Sequence, residues 1–370
     1  MIMKIKSAEI IHIVLPMKFP FVTGFGEIKE RDAVLVKLTT ADGIIGWGES
    51  AALAAPVYLE ETAQTCIHML IDFILPRLKD RDLSIEEFVS EIAFIRGNNL
   101  AKHGAETAMW GVESILKNTS VSNLIGGSRK SVPVGESVGM TETVEQLMGI
   151  VDKRLGEGYQ RIKLKIKPGH DYDYVKSVRD AYPKIEIMVD GNSSYKLSQI
   201  NELKRLDELN LMMIEQPLGY DDIIDHAKLQ RELKTPICLD ESIITSEDAR
   251  KAIEIGACKI INVKPGRVGG LLETIKINEI AKKAGIKLWC GGMLETGIGK
   301  AYNLAAGSLS EFSLPADIVP TSTFFKEDIT LPDLLVKKDG TIDVPNISGL
   351  GYEVVEENII KYQKQKLEVF

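Results

Sequence analysis

The sequence lacks the features that mark several common protein classes. No apolar run among its 370 residues approaches the roughly 18 residues that cross a bilayer, so we expect no membrane partner. Basic residues are fewer than acidic ones, 45 against 53, and the formal net charge of −8 argues against nucleic acid as a partner. The segment MIMKIKSAEI has no uninterrupted apolar core of the kind found in secretory signals, and we expect a cytoplasmic protein.

Cysteine is also scarce. The four cysteines are widely spaced, form no Cys-x-x-Cys pair and lie mostly inside apolar segments. This pattern predicts buried, reduced thiols rather than a disulfide framework. They are Cys66, Cys238, Cys258 and Cys290.

Hydrophobic periodicity divides the chain into two kinds of sequence. Up to about residue 125, strand-like segments such as DAVLVKLTT precede helical ones such as AETAMWGVESILKN, which indicates a small α+β unit. From Val132 onward, short apolar strands alternate with helical segments, and eight such βα units favour a closed parallel barrel. The eight predicted strands are VPVGESVG, RIKLKIK, IEIMVD, LMMIEQ, PICLDE, IINVKP, KLWCGG and FSLPAD.

Polar residues recur where these strands end. Lys165, Asp190, Glu215, Asp240 and Lys264 follow one another at intervals of 25, 25, 25 and 24 residues, about the length of one βα unit. Each acid alone could belong to a turn or a loop. Together they end consecutive strands, and the carboxyl ends of barrel strands form the face where such folds place their active sites.

Three neighbouring carboxylates predict a metal site. Asp190, Glu215 and Asp240 would repel one another unless a divalent cation neutralised them. Oxygen ligands favour Mg²⁺, with Mn²⁺ as an alternative, and the absence of His or Cys at these strand ends disfavours zinc.

The two lysines would flank this metal site. Lys165 ends the second strand and Lys264 the sixth, so the two amines should face each other across an eight-stranded ring. A metal-bound substrate carboxylate would present its α-carbon between them, an arrangement suited to abstracting the α-proton.

The lysines have two other interpretations. RIKLKIK could be a solvent-facing edge strand, but a closed barrel has no edge, and its aliphatic residues suit the helix layer. That leaves Lys163 and Lys165 directed inward. Lys264, in NVKPGRVGG, could bind phosphate or form a Schiff base as in an aldolase. A non-catalytic barrel that only binds metabolites is a further alternative, but it has no use for two opposed amines.

These motifs resemble the enolase superfamily, and within it the muconate-cycloisomerase-like subgroup, over essentially the whole chain. The matching elements are Lys163-x-Lys165, Asp190-x-Asn192, Glu215-Gln-Pro, Asp240-Glu-Ser and Lys264. The resemblance implies an α/β fold, a (β/α)7β modified TIM barrel with an α+β capping domain. We place the cap at residues 1–125, completed by the C-terminal tail 328–370, and the barrel at 126–327.

A finer similarity, carried by PVGESVG, IEQPL, KTPICLDESI and WCGGMLETGIGKA, is to the family of o-succinylbenzoate synthases and N-acylamino-acid racemases. It implies that Lys165 removes the α-proton while Lys264 stabilises the enediolate or acts as the second acid/base. It further implies cap loops, at Thr23 to Gly26 and Glu49 to Pro56, that close over the substrate, and a homo-oligomeric assembly. The implied substrate contacts are Ser137, Lys163 and Asn192 at the carboxylate and Gly292, Met293 and Leu294 at the acyl arm.

One departure and several activities stay open at this point. Glu136 stands where the family has an apolar residue, so it could alter acyl-arm specificity or point into the helix layer. The leading activity is Mg²⁺-dependent dehydration of 2-succinyl-6-hydroxy-2,4-cyclohexadiene-1-carboxylate to o-succinylbenzoate in menaquinone biosynthesis. N-Succinylamino-acid racemisation with the same two lysines is the close alternative. Another cycloisomerase or epimerase, or a Schiff-base aldolase, is more distant.

Overall fold

The computed structural model describes residues 3–23 and 26–370. The strands are β1 Ile5–Thr23, β2 Gly26–Thr40, β3 Ile45–Ser50, β4 Ser131–Pro133, β5 Gly135–Val138, β6 Arg161–Lys165, β7 Glu186–Asp190, β8 Ile214–Glu215, β9 Ile237–Leu239, β10 Ile260–Val263, β11 Lys287–Cys290, β12 Thr330–Leu331, β13 Thr341–Asp343, β14 Glu353–Val354 and β15 Gln363–Glu368. The α-helices are α1 Ala63–Met69, α2 Ile85–Glu91, α3 Asn99–Leu116, α4 Val121–Leu124, α5 Val144–Gly156, α6 Tyr172–Ala181, α7 Ile200–Arg205, α8 Ile224–Glu232, α9 Ser246–Glu254, α10 Pro265–Val268, α11 Leu271–Ala284, α12 Gly297–Gly307 and α13 Glu356–Tyr362.

The first unit is an antiparallel sheet packed against helices. Its strand order is β15-β1-β2-β3, so the last strand of the chain extends the sheet that the first strands begin. The long helix α3 covers β3 closely at two glycines. A Cβ atom at Gly46 would lie 2.1 Å from Ala108 O, and one at Gly48 would lie 2.0 Å from Gly104 O. Only glycine permits this approach.

The second unit is a curled parallel sheet of seven strands in the order β5 to β11, each paired with the next in the chain. Residues 311–317, which contain the predicted eighth strand, lie between the two ends of this sheet. Leu288 bridges Phe312 on one side and Val134 bridges Ala316 on the other. The segment closes the ring through isolated bridges, since Pro315 has no N–H to donate to a ladder.

The fold class predicted from the sequence is thus confirmed: an α/β modified barrel with an α+β cap. The boundaries near 125 and 327 remain predictions. Within the tail, β15 pairs with β1 of the cap, whereas β13 pairs with β4, which directly precedes the first barrel strand β5 in the chain.

The barrel interior has an apolar layer beneath a polar one. Because side chains alternate along a strand, the residue two positions before each strand-end acid shares its face. Met188, Met213 and Cys238 take these positions, and Ile260 and Trp289 complete the buried apolar cluster. The strand ends therefore project their charges from a packed apolar base.

All four cysteines are buried free thiols, as predicted. Among the helices of the described ranges, none is long and apolar enough to cross a membrane.

Candidate active site

The barrel gathers the predicted residues at one end. β6 ends at Lys165 and β7 at Asp190, and these two residues are paired across the strands. Asp190 pairs in turn with Glu215 at the end of β8. Asp240 and Lys264 directly follow β9 and β10.

One cavity lies over these strand ends. Glu215 and Asp240 are buried beneath its surface, while all the remaining predicted site residues border it. The predicted residues on its wall are Ser137, Lys163, Lys165, Asp190, Asn192, Lys264, Gly292, Met293 and Leu294.

Lys165 is held by the turn that follows β7. Its Nζ donates to Asp190 Oδ2 at 2.6 Å and to Asn192 Oδ1 at 2.7 Å. Asn192 adopts a positive φ of 39°, and its N–H donates to Asp190 Oδ1 at 2.9 Å. The Asp-Gly-Asn turn thereby fixes both acceptors of the amine, at a backbone conformation that residues other than glycine rarely adopt.

Lys264 is held by one barrel acid and one cap hydroxyl. Its Nζ donates to Asp240 Oδ2 at 2.8 Å and to Tyr58 OH at 2.6 Å. Arg267 pairs with the other oxygen of Asp240. Burial opposes ionisation of Asp240, but the two cations outweigh burial and hold the pKa of this carboxyl below its usual range.

Lys163 lies between carboxylates. Its Nζ is 2.5 Å from Asp317 Oδ2, 3.2 Å from Glu215 Oε2 and 3.6 Å from Asp190 Oδ2. Burial lowers the pKa of Lys163, but these carboxylates outweigh burial and raise the pKa overall. The residue carries its positive charge into the buried polar layer.

The acids of this layer still repel one another. Burial, followed by the charge of Asp190, raises the pKa of Glu215 to about 8. Burial and the charges of Asp240 and Asp190 raise the pKa of Glu241 to about 7. Glu241 Oε2 is buried and has no hydrogen-bond partner among the described residues. The nearby lysines therefore neutralise only part of the negative charge of this carboxylate cluster.

This donor set fits a hard divalent cation in its chemistry: Asp190, Glu215 and Asp240, with the orphaned oxygen of Glu241 beside them, supply only oxygen. The described residues contain no group of three His, Cys, Asp or Glu side chains already arranged around a common metal position. Instead, each predicted ligand faces a lysine ammonium.

Glu136 belongs to the helix layer. Strand pairing aligns it with Ile162, whereas Ser137 is aligned with Lys163. Its carboxylate lies 3.7 Å from Arg154 Nε of α5, and burial raises the pKa of Glu136 to about 7. Although Glu136 borders the cavity, this contact favours the second of the two alternatives, a side chain directed toward the helices.

Part of the predicted cap contribution can be located. Ala51, Leu53 and Ala55, within the predicted loop at Glu49 to Pro56, border the cavity. Of the other predicted loop, Gly24 and Phe25 lie outside the described residues.

A buried arginine connects the cap loop to the acyl-arm segment. Arg31 Nε donates to Leu294 O at 3.1 Å, and its Nη1 donates to Ala52 O. Glu49 accepts from Thr296 N at 3.2 Å and from Gly299 N at 2.9 Å. Cap side chains therefore hydrogen-bond to main-chain groups of the loop and helix that follow β11.

Sequence reasoning missed four residues of the site. Glu241 follows Asp240 directly, Arg267 lies three residues after Lys264, and Asp317 ends the predicted eighth strand, so the strand-end rule could have found them. Tyr58 carries no comparable signal, because its position depends on how the cap docks.

Comparison with known proteins gives the same assignment over both units. Residues 5–126 match the N-terminal domain of the mandelate racemase/muconate lactonizing enzyme family, and residues 146–358 match the enolase C-terminal domain-like family. A solved enolase superfamily member from Listeria innocua has a TM-score of 0.96 and 40% identity, covering 99% of both chains.

Two curated relatives carry different names. The o-succinylbenzoate synthase of Bacillus subtilis is 44% identical over 99% of this chain and 98% of its own. The N-succinylamino acid racemase of Thermus thermophilus is 45% identical over 94% of each chain. Enolase superfamily enzymes generally depend on Mg²⁺. Two matched domains and near-complete coverage show that the chain is an enzyme of the enolase superfamily, in the mandelate racemase/muconate lactonizing enzyme group.

Proposed function

We propose that this chain is a Mg²⁺-dependent o-succinylbenzoate synthase, which dehydrates 2-succinyl-6-hydroxy-2,4-cyclohexadiene-1-carboxylate by removing its α-proton. The observation that carries the proposal is the pair of amines, Lys165 and Lys264, in one cavity above a buried acid layer. The similarity to synthases across almost the full chain supports the choice of substrate.

In the proposed reaction, Lys165 Nζ takes the proton from the carbon next to the substrate carboxylate. The neutral amine is the reactive form, and Asn192 Oδ1, 2.7 Å away, orients it. The electron pair of the broken C–H bond moves into the carboxylate group. It then returns to form a C=C bond to the neighbouring carbon as the C–O bond there breaks, and the leaving hydroxide takes the proton held by Lys165 Nζ. That hydroxide and the abstracted proton together account for the water lost.

Asp190, Glu215 and Asp240 would hold the metal. A bound Mg²⁺ would supply positive charge that stabilises the substrate carboxylate as its negative charge increases. Lys264, kept protonated by Asp240, would donate to the same developing charge from the opposite side. Ser137, Lys163 and Asn192 are proposed to position this carboxylate.

Racemisation of N-succinylamino acids is the second candidate. It needs a proton donor on each face of the α-carbon, and Lys264 meets this need because Tyr58 OH and Asp240 orient its Nζ. The similarity to the N-succinylamino acid racemase of Thermus thermophilus, at 45% identity, supports this candidate.

A paired assay of the purified protein distinguishes the two. One arm follows dehydration of the cyclohexadiene carboxylate, and the other follows ¹H/²H exchange at the α-carbon of N-succinylamino acids in D₂O. We expect dehydration with added Mg²⁺. Exchange without dehydration would replace the synthase with the racemase, and failure of both would overturn the proposal.

Removing metal tests the cofactor. EDTA should abolish turnover, and Mg²⁺ should restore it, with Mn²⁺ as a partial substitute. A Schiff-base aldolase would instead keep its activity in EDTA and would be trapped covalently by borohydride with substrate. The predicted homo-oligomer is tested separately by light scattering after size exclusion.

A further inference from the structure

A fourth lysine, in α12, borders the active-site cavity beside the predicted acyl-arm residues. Lys300 is only 3% exposed, and its Nζ donates to Val319 O at 2.7 Å. The ammonium also lies 5.6 Å from the centre of the Phe324 ring. Lys300, Val319 and Phe324 all border the cavity, so this contact group forms part of its wall.

Lys300 differs from the other cavity lysines in its partners. Lys163, Lys165 and Lys264 each have a carboxylate oxygen within 2.8 Å. For Lys300, no ion pair within 4.0 Å occurs among residues 3–23 and 26–370; its hydrogen-bond acceptor is a main-chain oxygen. It is a buried cation without a contacting counter-ion.

The carboxylates whose charges act on Lys300 hydrogen-bond to other protein groups and form no ion pair with it. Glu49 accepts hydrogen bonds from Thr296 and Gly299, and Glu295 accepts one from Met293 N at 2.9 Å. Asp328 Oδ2 accepts from Gly297 N at 3.0 Å, while its Oδ1 is buried and has no hydrogen-bond partner among the described residues. Asp333 accepts from the N–H and hydroxyl of Thr321. These carboxylates moderate the field around Lys300 but none of them contacts its ammonium.

We propose that Lys300 binds the distal carboxylate of the substrate's succinyl arm and so selects dicarboxylate substrates. This inference rests on the proposed function, because it assigns one end of the same substrate. The arm would pass Gly292 to Leu294 and end with its carboxylate at Lys300. The catalytic lysines stay with the reacting carboxylate at the other end.

Charge compensation gives the physical reason. A buried ammonium with a single neutral acceptor has lost most of its hydration, and burial lowers the pKa of Lys300. A substrate carboxylate would provide the missing counter-ion in a site shielded from water, where charged hydrogen bonds are strongest. Glu295 and Asp317, the other acids on this wall, already accept hydrogen bonds from protein groups.

The first test needs no variant. Proton exchange is compared for the wild-type enzyme with an N-succinylamino acid and its distal methyl ester, which keeps the arm but removes its charge. We expect kcat/KM to be about 10–100-fold higher for the free acid, mainly through KM. Equal values for both would overturn the proposal. Exchange with neither, alongside normal dehydration of the cyclohexadiene carboxylate, would also overturn the proposal. Failure of dehydration as well would instead count against the proposed function itself.

The second test uses Lys300→Met with Lys102→Met as a matched control. Lys102 also donates to a main-chain oxygen, Ile95 O at 2.6 Å, and burial also lowers its pKa, but it does not border the cavity. Lys300→Met should remove the preference for the free acid and leave exchange of the ester unchanged. Lys300→Arg should keep the preference, and Lys102→Met should leave both substrates unaffected.

A purely structural role predicts a different result. In that case Lys300→Met would lower exchange of the acid and the ester by the same factor, together with a loss of thermal stability. That outcome would overturn the proposal while leaving the proposed function intact. If Lys300→Met does not fold, the comparison of acid and ester on the wild-type enzyme still decides.

Discussion

The barrel and the cap both supply buried charges near the cavity, but these charges have different partners. At the barrel strand ends, lysines face carboxylate side chains, as Lys165 does with Asp190. In the cap, Glu49, Glu61 and Arg31 hydrogen-bond largely to main-chain groups. Side-chain pairs can exchange partners when a substrate or an ion binds, whereas main-chain partners fix helices and loops. The difference separates residues that react from residues that hold the two units together.

The largest effect is expected on the barrel side of this comparison. Lys165→Ala should lower proton exchange and dehydration by about 10²–10⁴-fold, because it removes the proposed base. Lys167→Ala, in the same alternating segment but exposed, is the matched control and should keep full activity. Full turnover by Lys165→Ala would refute the mechanism. Steady-state kinetics of both variants measures this.

Glu49 connects the cap to the barrel, so its removal should lower the free energy of unfolding more than it lowers the rate of the chemical step. Glu49→Ala leaves the N–H groups of Thr296 and Gly299 without their acceptor, so we expect a loss of about 2–4 kcal/mol in the free energy of unfolding. KM should rise as well, since α12 and the loop before it border the cavity. Chemical denaturation of Glu49→Ala, compared with the exposed Glu60→Ala, tests this. Equal stability of the two variants would contradict the assignment.

Tyr58 sharpens the comparison because it is a cap residue that contacts barrel side chains. Tyr58→Phe removes the hydroxyl that accepts from Lys264 and lies 3.2 Å from Asp240 Oδ2. We expect kcat to fall about tenfold with little change in unfolding temperature, as for the loss of one charged hydrogen bond. The exposed Tyr220→Phe should match the wild type. An unchanged kcat would show that Tyr58 only closes the cavity.

Glu106 should affect stability but not turnover. It joins the units by accepting from Leu272 N, at the start of α11, and from Trp110 Nε1. Burial raises the pKa of Glu106 to about 7, so the folded state holds a proton that the unfolded chain, with a pKa near 4.5, releases. Its contribution to stability should be present below pH 4.5 and be lost as the pH rises through 7.

Urea unfolding between pH 5 and 8 tests this. Glu106→Gln should flatten the decline relative to the wild type, and Glu86→Gln, an exposed change on α2, should not. An identical pH dependence in the wild type and Glu106→Gln would contradict the assignment.

The sequence predicted the features that recur in each βα unit, but not the residues whose position depends on how the cap packs against the barrel. The 25-residue interval located the strand ends because every βα unit packs its strand in the same way. In β7, for example, Met188 is buried in the inner layer two residues before Asp190. It did not predict that the last strand would be reduced to bridges, because one proline removes a ladder hydrogen bond without disturbing the hydrophobic pattern. Tyr58 and Lys300 reach the cavity through tertiary contacts, which leave no periodic trace.

Residues 312–317 form a seam in the barrel, a place where the ring is closed by isolated bridges and not by a continuous strand. A ladder made of isolated bridges opens at lower free energy than the continuous ladders around it. Its amide hydrogens should therefore exchange with solvent earlier than those of β6. Asp317, which neutralises Lys163, sits on that seam. Transient opening there would expose a buried cation and disturb the carboxylate site while the remaining strands stay paired, so heat inactivation should precede global unfolding.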